Sequence, residues 1–285
     1  YCKWHILLSI FSVINLIKTF MLFNTVLKKM KTELSDEVQY YLTTDSNFLN
    51  MNQFLGRNIE ISFDGYQCLC CGKAKKIFRQ GFCYDCFYES AAVGDWIMKP
   101  ELSKAHLGIE DRDLEFEKQV QLRPHIVYLA LSSNVKVGVT RKTQVPTRWI
   151  DQGASKAIEI VEVPNRYLAG VCEVALKQHV SDKTSWQKML KNDILDVDLI
   201  EEREKLKAYI PEEVQPYFLA NNGKITEINY PVKQYPTKIK SLNLDKTPVY
   251  LGKLIGVKGQ YLIFEDATVF NVRNSEGYKV NLKIS

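Results

Sequence analysis

The stretch His125–His179, HIVYLALSSNVKVGVTRKTQVPTRWIDQGASKAIEIVEVPNRYLAGVCEVALKQH, decides how the rest of the chain is read. Ile126–Leu131 is an apolar run with β-branched and aromatic residues, and Ser132-Ser133-Asn134 supplies turn chemistry behind it. Val135–Thr140 (VKVGVT) follows with valine at alternate positions, so the two runs read as a β-hairpin. Pro146 stands where it opens a short helix, with Arg148 and Trp149 in its first turn. Ile158–Val163 (IEIVEV) alternates with period two and reads as a third strand. Pro164-Asn165 ends it, and YLAGVCEVALKQHV reads as a helix. The predicted order is strand, strand, helix, strand, helix.

Within that frame a few residues stand out. Glu173 is the only polar residue in Val171–Leu176. Stepping by three and four, Leu168, Val171, Cys172 and Ala175 form one apolar stripe, while Ala169, Leu176 and Val180 form another that contains Glu173. A carboxylate on an apolar face is costly unless paired or metal-bound, so Glu173 reads as a buried ion pair or as a metal ligand. Gly138 interrupts a strand, which suits a helix or a phosphate lying across it, or else a bulge. Tyr128 reads either as core or as a site residue, and Arg148 either as solvated or as a phosphate ligand.

The element order, with Tyr128 in IVYLA, Lys136-Val137-Gly138 before Val139-Thr140, Arg148 in TRWI and Glu173 in GVCEVAL, resembles the GIY-YIG endonuclease superfamily in a divergent, phage-type form. Lys136 stands where that family has its second Tyr, and the family's terminal Asn has no assigned counterpart. The resemblance spans about a fifth of the 285 residues. As a whole the chain also resembles an uncharacterised bacterial family of unknown function that carries a four-cysteine zinc motif. The superfamily resemblance implies hydrolysis of a phosphodiester. Glu173 would hold Mg²⁺ or Mn²⁺ through carboxylate oxygen, and Arg148 would neutralise charge growing on the phosphate. Tyr128 would deprotonate or orient the attacking water. Lys136 would place a point charge on phosphate, or else mark a site whose catalysis has lapsed.

Upstream lies the most specific motif, CLCCGKAKKIFRQGFCYDCF (Cys68–Phe87). Cys68-x₂-Cys71 and Cys83-x₂-Cys86 are separated by eleven residues, and each pair can form a knuckle offering two thiolates to a tetrahedral zinc. Cys70 is a competing ligand with poorer spacing. Five of the chain's seven cysteines fall in this stretch, which argues for a metal cluster over a disulfide framework; a redox pair or free thiols are the alternatives. Four Cys ligands close the site, so the zinc is structural. Lys73, Lys75, Lys76 and Arg79, with Phe78 among them, suit contact with a nucleic-acid backbone, against the plain alternative of a solvated hairpin.

Composition sets wider bounds. Charged residues are 25% and hydrophobic ones 46%, ordinary for a globular protein, and 38 basic against 33 acidic residues leave +5, compatible with nucleic acid. Ile6–Ile17 is nearly all apolar, short for a membrane span and without a small-residue cleavage site behind it. It reads as an upstream extension with Met21 as the working start, a membrane anchor being the alternative. Four short strands are expected in Phe23–Phe63: VLKKM, VQYYL, FLNM and NIEISF. Val38–Phe63 aligns without gaps on Gly259–Ile284, with Gln39 on Gln260, Tyr40 on Tyr261, Asp45 on Asp266, Asn50 on Asn271 and Gly56 on Gly277. Turn residues falling on turn residues point to a duplicated β module that packs as one unit. Asp111–Val120 reads as a polar, solvated helix, with a second metal site at His106 as a minor alternative. Thr184–Tyr209 reads as an amphipathic helical stretch that Asn192-Asp193 and Asp196 divide, and Asn221–Pro248 as an extended surface connector. No phosphate-binding glycine loop, Ser-His-Asp or Cys-His arrangement is present, and no small-molecule cofactor is expected.

The expected fold is therefore α+β: a zinc-stabilised module, a GIY-YIG-like β-β-α-β-α core, and small β modules at both ends. The divisions are 1–20 (apolar extension), 21–65 (β module), 66–90 (zinc), 91–124 (acidic connector), 125–218 (core with C-terminal helices) and 219–285 (linker and β module). The expected function is divalent-metal-dependent nuclease activity on DNA or RNA in the cytoplasm, with a membrane partner only if residues 1–20 are native. The alternatives are a nucleic-acid-binding zinc protein with a lapsed site, and a protein-interaction scaffold.

Overall fold

The computed structural model describes residues 20–45, 47–180, 185–220 and 224–285. The apolar extension, apart from Phe20, lies outside them, as does Thr184. The fold is mixed α and β. Its N-terminal part holds β1 (Met21–Val26), β2 (Lys31–Glu33), β3 (Gln39–Thr43), β4 (Phe48–Asn50) and β5 (Asn58–Tyr66). After the cysteines come α1 (Tyr84–Glu89), four short 3-10 turns between Ala91 and Leu107, and α2 (Leu114–Gln121). The central block is β6 (His125–Leu131), β7 (Val135–Arg141), α3 (Thr147–Asp151), β8 (Lys156–Val163) and α4 (Arg166–Lys177). Two helices follow, α5 (Trp186–Leu190) and α6 (Leu199–Lys207), divided where the polar residues predict. The remaining strands are β9 (Thr226–Glu227), β10 (Lys240–Ser241), β11 (Val249–Lys258), β12 (Tyr261–Phe264), β13 (Thr268–Asn271) and β14 (Tyr278–Ile284).

The central sheet has the order β7-β6-β8-β9, with neighbouring strands antiparallel. Every residue of β6 is buried, which explains why its sequence is a continuous apolar run without alternation. Its two faces enter different cores. Val127, Leu129 and Leu131 pack with Ala169, Cys172 and Leu176 of α4 and with Leu199 and Leu206 of α6. Ile126, Tyr128 and Ala130 join Trp149 and Ile150 of α3 in the core of the β modules. The central sheet is thus the partition between a helical layer and a β unit. β7 is one of its two edge strands.

In the β unit, the ends of the chain form one seven-stranded sheet in the order β1-β14-β5-β11-β12-β13-β10. β5 and β14 run antiparallel with Ile61 opposite Leu282, Ile59 opposite Ile284 and Phe63 opposite Val280. The aligned sequences match Ile61 to Leu282, Ile59 to Val280 and Phe63 to Ile284, so exchanging the modules maps this pairing onto itself. Hydrogen bonds repeat the relation. Leu27 N–H donates to Tyr278 O and Gly277 N–H to Leu27 O, while Leu254 N–H donates to Arg57 O and Gly56 N–H to Leu254 O. Gly56 and Gly277 share a positive φ (94° and 84°), the turn that each copy requires. The modules are thus an internal repeat about a pseudo-two-fold axis. Each lends its first strand to the other's last: β1 pairs with β14, and β11 with β5.

Several expectations are corrected. VLKKM (26–30) is not a strand of its own: Val26 ends β1 and 27–30 link it to β2, with the Gln260 side chain satisfying both the N–H and the C=O of Met30 in place of a ladder partner. In FLNM, Met51 begins a 3-10 turn rather than ending the strand. The helix expected at Asp111–Val120 starts at Leu114, capped by Asp113, and it is not simply solvated. Glu117 and Gln121 are buried, and the Glu117 carboxylate accepts N–H bonds from Asp111, Arg112 and Asp113. The expected surface connector dips inward at Ile228, Tyr230 and Leu244, and β9 extends the central sheet. Its first three residues lie outside the described ones.

Candidate metal centre and basic cleft

The two cysteine pairs meet. The sulfurs of Cys68, Cys71, Cys83 and Cys86 all lie within 4.8 Å of one another. A zinc tetrahedron with Zn–S near 2.3 Å has S···S edges of about 3.8 Å, so the four thiols fit such an ion. Backbone N–H groups prepare the site: although burial opposes it, donation from Cys83, Cys71 and Cys70 holds the Cys68 thiol down at about 6. The Cys83 N–H lies 3.2 Å from the Cys68 sulfur. Cys70, the competing ligand, is exposed and stands outside the group. α1 begins directly after Cys83. His106 joins no second metal group among the described residues; it stacks on Tyr167 with ring centroids 4.5 Å apart.

The four cleft residues named from sequence also converge. Tyr128, Lys136, Arg148 and Glu173 line one cleft of about 800 Å³ that wraps the edge strand β7. Seven basic side chains line it (Lys29, Lys136, Arg141, Arg148, Arg166, Lys177 and Arg273) against two carboxylates, Asp151 and Glu173. Its potential therefore suits a polyanion.

Gly138 in β7 faces Tyr128 in β6 directly. A Cβ at Gly138 would stand 2.6 Å from the Tyr128 hydroxyl, so the glycine makes room for that ring. Neither a helix, a phosphate nor a bulge is needed to explain it, and the β6–β7 register is unbroken. Tyr128 is fully buried, and burial pushes its pKa up. Its oxygen accepts from Gln152 Nε2 at 3.0 Å, leaving its own proton to donate, and the positive charge of Arg148 works against the upward shift.

Glu173 lies on the buried face of α4 beside Ala169, Cys172 and Leu176. Burial raises its pKa; Lys177, one turn on and 3.0 Å away, offsets that, while nearby Glu101 adds to it. The ion pair that the sequence allowed is thus formed, with the cleft still open beside it. Gly170 lets the 3-10 turn at Pro100–Leu102 close on α4: a Cβ there would sit 2.1 Å from the Glu101 nitrogen.

Two anchors were missed by sequence reasoning. Arg166 donates to the carbonyls of Trp96 (3.0 Å) and Ile97 (2.7 Å), tying the connector to the cleft wall. Asp151, at the end of the helix that carries Arg148, receives Lys29 at 2.5 Å and Gln260 at 2.9 Å, with Arg273 at 3.9 Å. Both halves of the β unit therefore hold α3 in place. Their only sequence signals were single charges in unremarkable contexts.

The expected nucleic-acid patch is exposed: Lys73, Lys75, Lys76 and Arg79 all face solvent, with Lys75 paired to Asp85 at 2.5 Å. Gln80, next along the hairpin, lines the cleft. Among the described residues, no helix is long and apolar enough to cross a membrane.

A family model described as "Protein of unknown function (DUF2797)" matches residues 56–280, and the chain belongs to that family. The matched stretch contains the four cysteines and the four cleft residues; β1–β4 precede it. No curated protein and no solved structure matches the chain.

Proposed function

We propose that this member of a family of unknown function processes nucleic acid, hydrolysing a phosphodiester in the basic cleft with a divalent cation at Glu173, as the GIY-YIG resemblance implies. The observation that carries the reading is the convergence of Tyr128, Lys136, Arg148 and Glu173 on one cleft lined by seven basic and two acidic side chains. The buried Glu173 carboxylate would hold Mg²⁺ or Mn²⁺ through its oxygens, the cation taking the place now held by the Lys177 ammonium. When bound, such a cation polarises the phosphate and stabilises the leaving oxygen. The chain's own residues supply the rest. Arg148 presents a guanidinium fork to the phosphate oxygens, and Lys136 adds a point charge. Tyr128 keeps its proton because burial raises its pKa, against the opposing pull of Arg148 and Gln152; it orients water by donating rather than by deprotonating it. A cytoplasmic setting accompanies the reading, since a thiolate cluster needs reduced cysteines.

A second reading, binding without hydrolysis, is favoured by the Glu173–Lys177 ion pair and by Lys136 in the position of a family tyrosine. One experiment separates the two. The zinc-loaded chain is incubated with single- and double-stranded DNA and RNA in Mn²⁺, beside Glu173→Ala and Arg148→Ala. The expected result is cutting by the parent, lost in Glu173→Ala and reduced about a hundredfold or more in Arg148→Ala. Unchanged cutting by Glu173→Ala removes the catalytic assignment. Retention of nucleic acid without cutting leaves the binding reading, and neither result leaves a scaffold.

A further inference from the structure

The zinc module carries a surface that neither its metal nor its packing explains. α1 is Tyr-Asp-Cys-Phe-Tyr-Glu, yet it buries none of its residues. Phe78, Tyr84 and Tyr88 are exposed by 40%, 60% and 53% and form one aromatic cluster with Phe87. The Arg79 guanidinium lies over the Phe78 ring at 5.3 Å, and Gln80 beside it lines the basic cleft. Where four thiolates hold a fold, the rings are not needed as its core. Flat, exposed rings, with the exposed cations Lys73, Lys76 and Arg79 on the segment that carries Phe78, suit stacking bases whose phosphates lie alongside; a purely apolar partner would leave those cations unanswered.

We infer that Phe78, Tyr84 and Tyr88 are a stacking platform for unpaired nucleobases, from which a single strand runs past Arg79 into the basic cleft. This rests on the nucleic-acid reading above and narrows it to substrates with a single-stranded segment. A duplex hides its base faces and cannot use the platform.

The test is fluorescence anisotropy on the zinc-loaded full chain without Mg²⁺ or Mn²⁺, using a 20-nucleotide strand as DNA and as RNA, and the matching duplexes. Tighter binding of the single strand than of the duplex is expected, and the double variant Tyr84→Ala/Tyr88→Ala weakens it by about tenfold or more. Tyr84→Phe/Tyr88→Phe retains binding, whereas Tyr84→Leu/Tyr88→Leu loses it with zinc content unchanged, because leucine keeps bulk but not a π-face. The DNA and RNA arms identify which strand is preferred. Unchanged affinity in the alanine pair, or parental affinity in the leucine pair, overturns the platform. If Arg148→Ala alone then weakens binding, the cleft reading stands without it. No binding of any strand removes both.

Discussion

Between Cys68 and Cys86, nineteen residues bring four sulfurs within 4.8 Å of one another, and the helix they nucleate buries no side chain. The cleft is made the other way. Tyr128, Arg148 and Glu173 come from β6, α3 and α4, and the elements carrying them are fixed by two cores on opposite faces of one sheet. In the knuckle, four thiols placed to hold a metal ion stand where a core would, so a short local spacing is enough. In the cleft, burial does the positioning, and each site residue owes its place to distant neighbours such as Lys29 and Gln260.

The largest effect should follow metal removal. A structural zinc supplies on the order of 10 kcal/mol of folding free energy. Chelation, or Cys83→Ser, is expected to abolish amide-exchange protection across 66–90 while β6 and α4 stay protected. Loss of protection in β6 as well would break the contrast between the two regions. An intermediate effect is expected at Gly138→Ala, whose new Cβ would meet the Tyr128 hydroxyl at 2.6 Å. Overpacking of this kind costs about 1–3 kcal/mol in urea unfolding. In a Tyr128→Ala background the same substitution should cost almost nothing, and an equal cost there would mean that the strand, not the ring, dislikes a side chain.

The smallest effect concerns pH. Burial raises the Glu173 carboxyl above its unfolded value, so the unfolded chain binds fewer protons once pH passes the ordinary carboxylate range. Stability from this group is present below that range and is lost as pH rises through its raised folded value. Lys177→Ala removes the offsetting ammonium and should deepen the loss. The variant is expected to match the parent near pH 4 and to fall below it at pH 7 by about 1 kcal/mol or less, since Lys177 is half-exposed and screened. An equal deficit at both pH values would show that Lys177 acts by packing and not by charge.

The regions differ as much in legibility as in construction. The knuckle could be read because its ligands are neighbours in sequence and thiolates have few other uses at that spacing. The hairpin, α3, β8 and α4 could be read because their periodicity and punctuation are local. The repeat was visible only as five identities in 26 positions, which β-rich segments can share by chance. Its reality lies in a register that sets Ile61 against Leu282, and pairing between strands so far apart leaves no local trace. Glu117 was misread because an acidic helix is normally solvated, whereas here its carboxylate collects three backbone N–H groups from the turn before it.

By itself, then, the sequence determined the α+β class, a four-cysteine cluster able to hold a metal ion, the strand-strand-helix-strand-helix order and the oddity of a carboxylate on an apolar helix face. The tertiary structure alone decided that Gly138 yields to Tyr128, that Glu173 pairs with Lys177, that Asp151 ties α3 to both β modules, and that these modules exchange strands. The reason is physical. Propensity, spacing and chelation act over a few residues, whereas burial and ion pairing depend on which surfaces the completed fold brings together.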